Sequence, residues 1–356
     1  MTRLLLLPGD GIGPEIVAAT REVLSAADAA FGLGLEMEEA EIGFAALKAQ
    51  GTTIPDHVIA AARAADGIVM GPVSHNDYPP VVEGGRNPSG VLRKALDLYA
   101  NIRPAATRAL LPSAVGRPFD LVIVRENTEG FYADRNMAQG PGEIMPDADM
   151  ALAIRKVTRH ASARIAEAAF QLAAARPARH VTAVHKANVL RLSDGLFLEE
   201  CRRVAARHPD IVYAEVLVDA MAAHLVRAPD RFDVIVTTNM YGDILSDLAG
   251  ELSGSLGLAG SLNAGADHAM AQAQHGSAPD IAGKGLANPA GLIASAAMLL
   301  DWQADRSGNP AFRLAARQIA EALSAALAAP ATRTPDLGGH ASTGDMARAI
   351  CEGLGG

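Results

Sequence analysis

Short apolar runs, each cut off at once by a polar cluster, recur along this chain and constrain its fold more than any other feature. Residues 4–7, 67–70, 121–124, 181–184, 211–218 and 234–236 read as buried strands, with helical spacing between several of them. Such alternation predicts an α/β chain whose sheet is largely parallel and covered by helices. The clusters that follow the runs include Pro72-Val73-Ser74, Arg125-Glu126-Asn127, His185-Lys186-Ala187-Asn188, Asp219 and Asn239. Ligands of open α/β sheets gather beyond the carboxyl ends of the strands, so these clusters are where chemistry is expected.

The last run opens into TTNMYGDILSD, residues 237–247. Asp243 and Asp247 stand one helical turn apart on one face, beside an apolar stripe of Ile244, Leu245, Leu248 and Leu252 that would anchor the helix. Two carboxylates fixed this way repel each other unless a hard divalent cation such as Mg²⁺ or Mn²⁺ joins them. The alternative is an ordinary solvated face.

At 356 residues the chain has the length of about two domains. A net charge of -9 leaves no footprint for nucleic acid, so an anionic substrate would need local arginines. Residues 84–104 and the strand after them carry Arg86, Arg93, Arg103 and Arg125, whose forks suit a substrate with more than one carboxylate; singly, each also reads as a surface or structural arginine. Lys186 and Tyr132 are candidate proton-transfer groups, the lysine by partial burial near other cations, and Asp219 a candidate third oxygen ligand; an ion-paired lysine and a core tyrosine are the plain alternatives. Cys201 and Cys351 fit neither a disulfide framework nor a thiolate metal site. The start, MTRLLLLPGDG, breaks at Pro8, too short for a signal-peptide core, and no run reaches membrane-spanning length. A cytoplasmic protein with no membrane partner is expected.

Other segments exclude common chemistries. Gly9, Gly11 and Gly13 alternate without completing a dinucleotide fingerprint, Gly283-Lys284 is followed by Gly285 where a phosphate loop needs Ser or Thr, and neither G-x-S-x-G nor HExxH occurs. Residues 139–146, QGPGEIMP, read as an exposed excursion, a linker or an arm toward a partner subunit, and residues 151–175 as one long amphipathic helix including Ile154 and Val157.

Taken together, LPGDGIGPE, VLRKALDLYANIRP, VRENTEGFY, VHKANV, VDAMA, TTNMYGDILSD, HGSAPDIAGKGLANP and PDLGG resemble, in order and over nearly the whole chain, the isocitrate and 3-isopropylmalate dehydrogenases. The resemblance implies an isopropylmalate dehydrogenase-like two-domain α/β fold with a large, partly parallel central sheet covered by helices, not a Rossmann domain. Residues 1–100 with 251–356 would form the larger, NAD-binding domain, and 101–250 a smaller one carrying the dimer interface and the metal and substrate residues. It implies a homodimer with shared sites. Arg93, Arg103 and Arg125 would hold the substrate's carboxylates and Tyr132 would donate a proton. Lys186 and Asp219 would reach the partner's site, and Asp243 and Asp247 would bind Mg²⁺ or Mn²⁺ with the partner subunit's Asp219. Ile12, Asn188, His275, Gly276, Ala278, Asp280, Ile281 and Asn288 would form the NAD side.

Asp280 suits the ribose hydroxyls of NAD and would repel a 2′-phosphate; relatives using NADP carry Lys-Tyr where Asp280-Ile281 stands. Isopropylmalate enzymes place Leu four and three residues before the first arginine, whereas Ser89 and Gly90 occupy those positions. With Arg86 and RENTEG, this favours an isocitrate-like tricarboxylate over isopropylmalate, homoisocitrate, tartrate or D-malate. A non-catalytic regulatory subunit is the rival from another class, although Tyr132, Lys186, Asp219, Asp243 and Asp247 are all present.

Overall fold

A computed structural model describes residues 1–108, 110–132, 137 and 142–354. In chain order the strands are β1 (Thr2–Leu7), β2 (Leu35–Glu39), β3 (Gly67–Met70), β4 (Ala100–Ala106), β5 (Asp120–Glu126), β6 (Glu143–Asp147), β7 (Met150–Ala153), β8 (His180–His185), β9 (Val212–Leu217), β10 (Val234–Thr237), β11 (Leu262–Ala264) and β12 (Ala269–Gln272). The helices are α1 (Gly13–Phe31), α2 (Phe44–Gln50), α3 (Asp56–Ala64), α4 (Pro88–Ala95), α5 (Arg159–Ala174), α6 (Ser193–Ala205), α7 (Val218–Arg227), α8 (Asn239–Ser253), α9 (Ala290–Ser307), α10 (Pro310–Ala328) and α11 (Thr343–Leu354).

The chain divides into two compact units, residues 1–96, 108–111 and 255–356, and residues 97–107 and 112–254. In the first, strands run β2-β1-β3-β12-β11, parallel except for β11. In the second they run β4-β5-β10-β8-β9, with β4 antiparallel to β5 and the rest parallel. The fold is therefore α/β with mixed strand directions and helix-covered sheets.

The central strands of the second unit's sheet, β5, β10 and β8, are buried on both faces, which is why they read as apolar runs. Val122 and Val124 of β5 face α5 and α6, with Phe170, Phe197 and Cys201, while Leu121 and Ile123 face α7 and α8, with Met221, Leu225 and Leu245. The period of two then decides where the polar ends of the strands point. Arg125 continues the Leu121-Ile123 row, and Arg103 shares the row of Ala105, so both arginines belong to the α8 side.

Two local expectations are corrected. The helix expected from 151 starts at Arg159, because Met150–Ala153 pairs with β6 and Thr158 caps the helix by accepting the Ala161 amide. On α8, Ile244 is 61% exposed, so the anchoring stripe is Leu245, Ala249 and Leu252, with Leu248 alongside. Of the expected excursion, Gln139, Gly140 and Pro141 lie outside the described residues, and Glu143–Asp147 forms an exposed two-stranded hairpin with β7. Among the described residues no helix is long and apolar enough to cross a membrane.

Candidate active site

In the second unit the strand alternation and one helix assemble a dense charged cluster. Arg125, at the end of β5 and 2% exposed, donates from Nε to Asn239 Oδ1 at 2.9 Å, from Nη2 to Tyr132 Oη at 2.6 Å, and from Nη1 to Asp243. The Tyr132 hydroxyl in turn donates to Asp243 Oδ2 at 2.9 Å. Arg103 from β4 donates from Nε to Asn101 at 2.5 Å and from Nη1 to Ser246 at 2.7 Å, Asp243 at 3.1 Å and Asp247 at 3.2 Å. Burial pushes the Asp247 carboxyl up; Arg103 opposes that and the neighbouring Asp243 adds to it. Gly242 permits the approach of α8, since a Cβ there would lie 2.6 Å from Cβ and Cγ of Arg125.

Both aspartates are thus drawn to a single cationic atom, the behaviour a divalent cation site requires. Among the described residues no three Asp, Glu, His or Cys side chains come together, so Asp219 does not join Asp243 and Asp247 within one chain. Asp219, in the first turn of α7, instead pairs with Lys186 Nζ at 2.5 Å, and that bond holds its carboxyl below the usual range. The sequence reading set Lys186 near other cations; the charge beside it is this carboxylate.

The Lys186 turn is held from beneath by residues the sequence reading missed. Asp194, fully buried, accepts the Lys186 backbone amide at 2.5 Å and pairs with Arg155. Arg155 also donates to Ser193 at 2.9 Å and to Thr238 Oγ1 at 3.0 Å, at the start of α8, with its guanidinium over the rings of Phe131 and Tyr241. One buried arginine therefore ties the Lys186 turn to the helix bearing the aspartates. Asn188 is exposed on that turn.

The first unit carries the remaining candidates. Ser89 and Arg93 lie on α4, whose N-terminus is capped by the Asn87 side chain accepting from the Gly90 amide. Ser89 Oγ donates to Gln272 Oε1 at 3.0 Å, and Arg93 Nη2 donates to the same oxygen at 3.3 Å. Arg86 faces Asp56 at 3.8 Å.

The loop after β1 meets the residue 275–288 segment closely: a Cβ on Gly11 would lie 1.9 Å from the Ser277 carbonyl oxygen, which accepts the Ile12 amide at 2.8 Å. Ser74 and Ser277 share a hydroxyl bond of 2.7 Å. Asp10, buried, ties the loop to two others by accepting the amides of Phe44 and Ser74 at 2.8 and 2.9 Å and the Tyr78 hydroxyl. Along the segment, His275 Nδ1 donates to the Gly276 carbonyl at 3.0 Å, which leaves Nε2 as an acceptor, buried and without a partner among the described residues. Burial depresses the His275 pKa, keeping the ring neutral. Ala278 takes a left-handed φ of 37°, Gly276 and Asp280 are exposed, Ile281 is half-buried, and Asn288 donates to Asp336 at 2.9 Å. A buried acceptor left open beside exposed backbone and an exposed carboxylate is a polar set compatible with a nucleotide.

Comparison with known proteins follows the same lines. The sequence profile of the isocitrate/isopropylmalate dehydrogenase family matches residues 3–350. The isocitrate/homoisocitrate dehydrogenase of Thermus thermophilus is 42% identical over 352 residues, 99% of this chain and 98% of that protein. The 3-isopropylmalate dehydrogenase of Sulfurisphaera tokodaii is 40% identical over 350 residues, 98% of each. The crystal structure of isocitrate dehydrogenase from Methylococcus capsulatus superposes with a TM-score of 0.87 at 41% identity, covering 99% of both chains. With matches of this length, the chain belongs to the isocitrate/isopropylmalate dehydrogenase family, the decarboxylating dehydrogenases of hydroxy acids.

Proposed function

We propose that the chain is an NAD-dependent, metal-requiring oxidative decarboxylase of a 3-substituted (2R)-malate, with an isocitrate-like tricarboxylate as its substrate. The observation that carries the substrate choice is Ser89, a hydroxyl held by Gln272 in the position where an isopropyl pocket would need leucine. Asp280, exposed and carboxylate-bearing, supports NAD over NADP because it would repel a 2′-phosphate. Ile12, His275, Gly276, Ala278, Ile281, Asn288 and Asn188 complete the NAD side.

Arg93, Arg103 and Arg125 bind the substrate's carboxylates, two-point contacts that fix its orientation. Asp243 and Asp247 would hold Mg²⁺ or Mn²⁺, which would supply a Lewis acid for the 2-hydroxyl oxygen, and the residues of the NAD side would hold NAD, which would supply the hydride acceptor. Lys186 Nζ, once it has given up its own proton to become the neutral amine, accepts the hydroxyl proton, and Asp219, its ion-pair partner, stabilises the charged lysine that results. After loss of CO₂, Tyr132 returns a proton to carbon from Oη. The Arg125 guanidinium bonded to that oxygen stabilises the phenolate left behind. Because Lys186 and Asp219 make their contacts apart from Asp243 and Asp247 in one chain, the reading assigns them to the site of a second copy in a homodimer.

The test is kcat/KM for isocitrate, homoisocitrate, 3-isopropylmalate, D-malate and tartrate, each with NAD and NADP and with Mn²⁺ present. Isocitrate with NAD should lead; a lead for NADP, or for 3-isopropylmalate, D-malate or tartrate, overturns the corresponding assignment.

A further inference from the structure

Gln272, which no motif singles out, ends β12 with 9% of its surface exposed. Its Oε1 receives both Ser89 Oγ and Arg93 Nη2. A guanidinium has donors only, so the amide must turn its oxygen toward Arg93. That orientation fixes Ser89 in turn. Facing an acceptor, the hydroxyl commits its single proton to Gln272 and has only lone pairs left for anything else.

We propose that Gln272 is a specificity-determining residue: it is the alternative acceptor for the Ser89 proton, and so sets how strictly the site distinguishes substituents at C3 of the substrate. This rests on the reading above that Ser89 faces that substituent. When the substituent carries a carboxylate, the Ser89 proton turns from the amide to the ionised oxygen, the stronger acceptor. When the substituent is apolar, the proton stays on Gln272 and no buried hydroxyl is left unsatisfied. The carboxamide therefore tolerates both kinds of acid, and preference for the carboxylate amounts to about one hydrogen bond, roughly tenfold in kcat/KM.

The two obvious replacements push the preference in opposite directions. Gln272→Leu removes the alternative acceptor, so an apolar substituent strands the Ser89 hydroxyl and a carboxylate does not. Gln272→Glu offers a charged acceptor that holds the Ser89 proton more tightly and repels a substrate carboxylate. Effects passing through Arg93, assigned to carboxylates common to all the substrates, cancel in the ratio.

The experiment measures kcat/KM for isocitrate and for 3-isopropylmalate, with NAD and Mn²⁺, in the unmodified protein, both variants, and each variant combined with Ser89→Ala. The unmodified protein is expected to turn over both acids. The isocitrate-to-isopropylmalate ratio should rise about tenfold in Gln272→Leu and fall about tenfold or more in Gln272→Glu. Both shifts should vanish in the Ser89→Ala background, where there is no proton to redirect. A merely structural Gln272 would depress both substrates together and leave the ratio in place, and that result overturns the proposal. So does a ratio that moves the same way in both variants, or an unmodified protein that accepts only one of the two acids. Absence of turnover with every acid tested overturns the functional reading and this inference with it, whereas turnover with an unmoved ratio overturns the inference alone.

Discussion

Asp243→Asn separates the ion-pairing role of one carboxylate from the metal-binding role proposed for it. Asp243 receives the guanidinium groups of Arg125 and Arg103 and the Tyr132 hydroxyl; the two arginine side chains are 2% and 7% exposed, Asp243 itself 39%. Stripping a fully buried pair of one partner costs about 3–5 kcal/mol. Asp243 is more than a third exposed, Asn keeps an oxygen for one guanidinium, and Asp247 remains 3.2 Å from Arg103, so the expected loss is smaller, about 1–2 kcal/mol. For a unit of this size that lowers the melting temperature by about 3–6 °C. Thermal melts followed by circular dichroism should show a native far-UV spectrum and that downward shift. Steady-state assays with isocitrate, NAD and Mn²⁺ should show turnover reduced by about a thousandfold or more. An unchanged melting temperature would refute the claim that Asp243 neutralises the buried arginines; near-normal turnover with Mg²⁺ or Mn²⁺ would refute its role in metal binding.

Three further outcomes are expected. Asp194→Asn, which takes the charge from the Asp194–Arg155 pair beneath Lys186, its carboxylate fully buried and its arginine side chain 8% exposed, should cost about 3 kcal/mol and lower kcat by about 10- to 100-fold with KM little changed; an unaltered kcat in folded protein shows that Asp194 does not position the lysine. Gly242→Ala places a Cβ 2.6 Å from two Arg125 carbons, so about 1–3 kcal/mol of overpacking outweighs the roughly 1 kcal/mol gained in helix propensity. A more stable variant in urea titration contradicts it. The Cys201 thiol is fully buried and its pKa pushed up by burial, so an aromatic disulfide reagent should leave it unlabelled until the protein unfolds, and prompt reaction of both cysteines in native protein would show that α6 opens easily.

What the sequence made legible, and what it hid, follows from the range of the forces involved. Strands buried on both faces, such as Gly67–Met70 and Val234–Thr237, announce themselves as unbroken apolar runs. Leu35–Glu39 carries three glutamates, and Ala100–Ala106 holds Arg103 and Pro104, so neither reads as a strand until β1 and β5 supply its hydrogen-bonding partners. Met150–Ala153 mimics the helix that follows because its apolar residues are exposed on a hairpin rather than sorted by a core. On α8, Ile244 and Leu245 are equally apolar; only the position of β5 decides which one is buried. The aspartates and arginines were each visible as candidates, yet the Arg103–Asp243 contact spans 140 residues, and no local pattern pairs them. Gln272 was less visible still, as the polar end of an otherwise apolar run, AMAQ.

The ion pairs in the second unit also constrain the order in which this site can fill. Arg103 and Arg125 commit their charge to Asp243 and Asp247, so the same four side chains that would take up anionic substrate and divalent cation satisfy one another. A cation drawn to the aspartates alone would sit beside two buried guanidinium groups that have just lost their carboxylates. A carboxylate drawn to the arginines alone would sit beside two unneutralised aspartates. Each ligand removes the repulsion that opposes the other, because the arginines exchange aspartate for substrate as the aspartates exchange arginine for metal. Coupling of this kind is reciprocal and typically 5- to 150-fold. Mn²⁺ affinity read from water-proton relaxation should therefore be weak for the protein alone and rise at least about fivefold when isocitrate is added. Isocitrate affinity should rise by the same factor when Mn²⁺ is added. Equal Mn²⁺ affinities with and without the acid would mean that the aspartates hold the metal without giving up the arginines, and the exchange would be wrong.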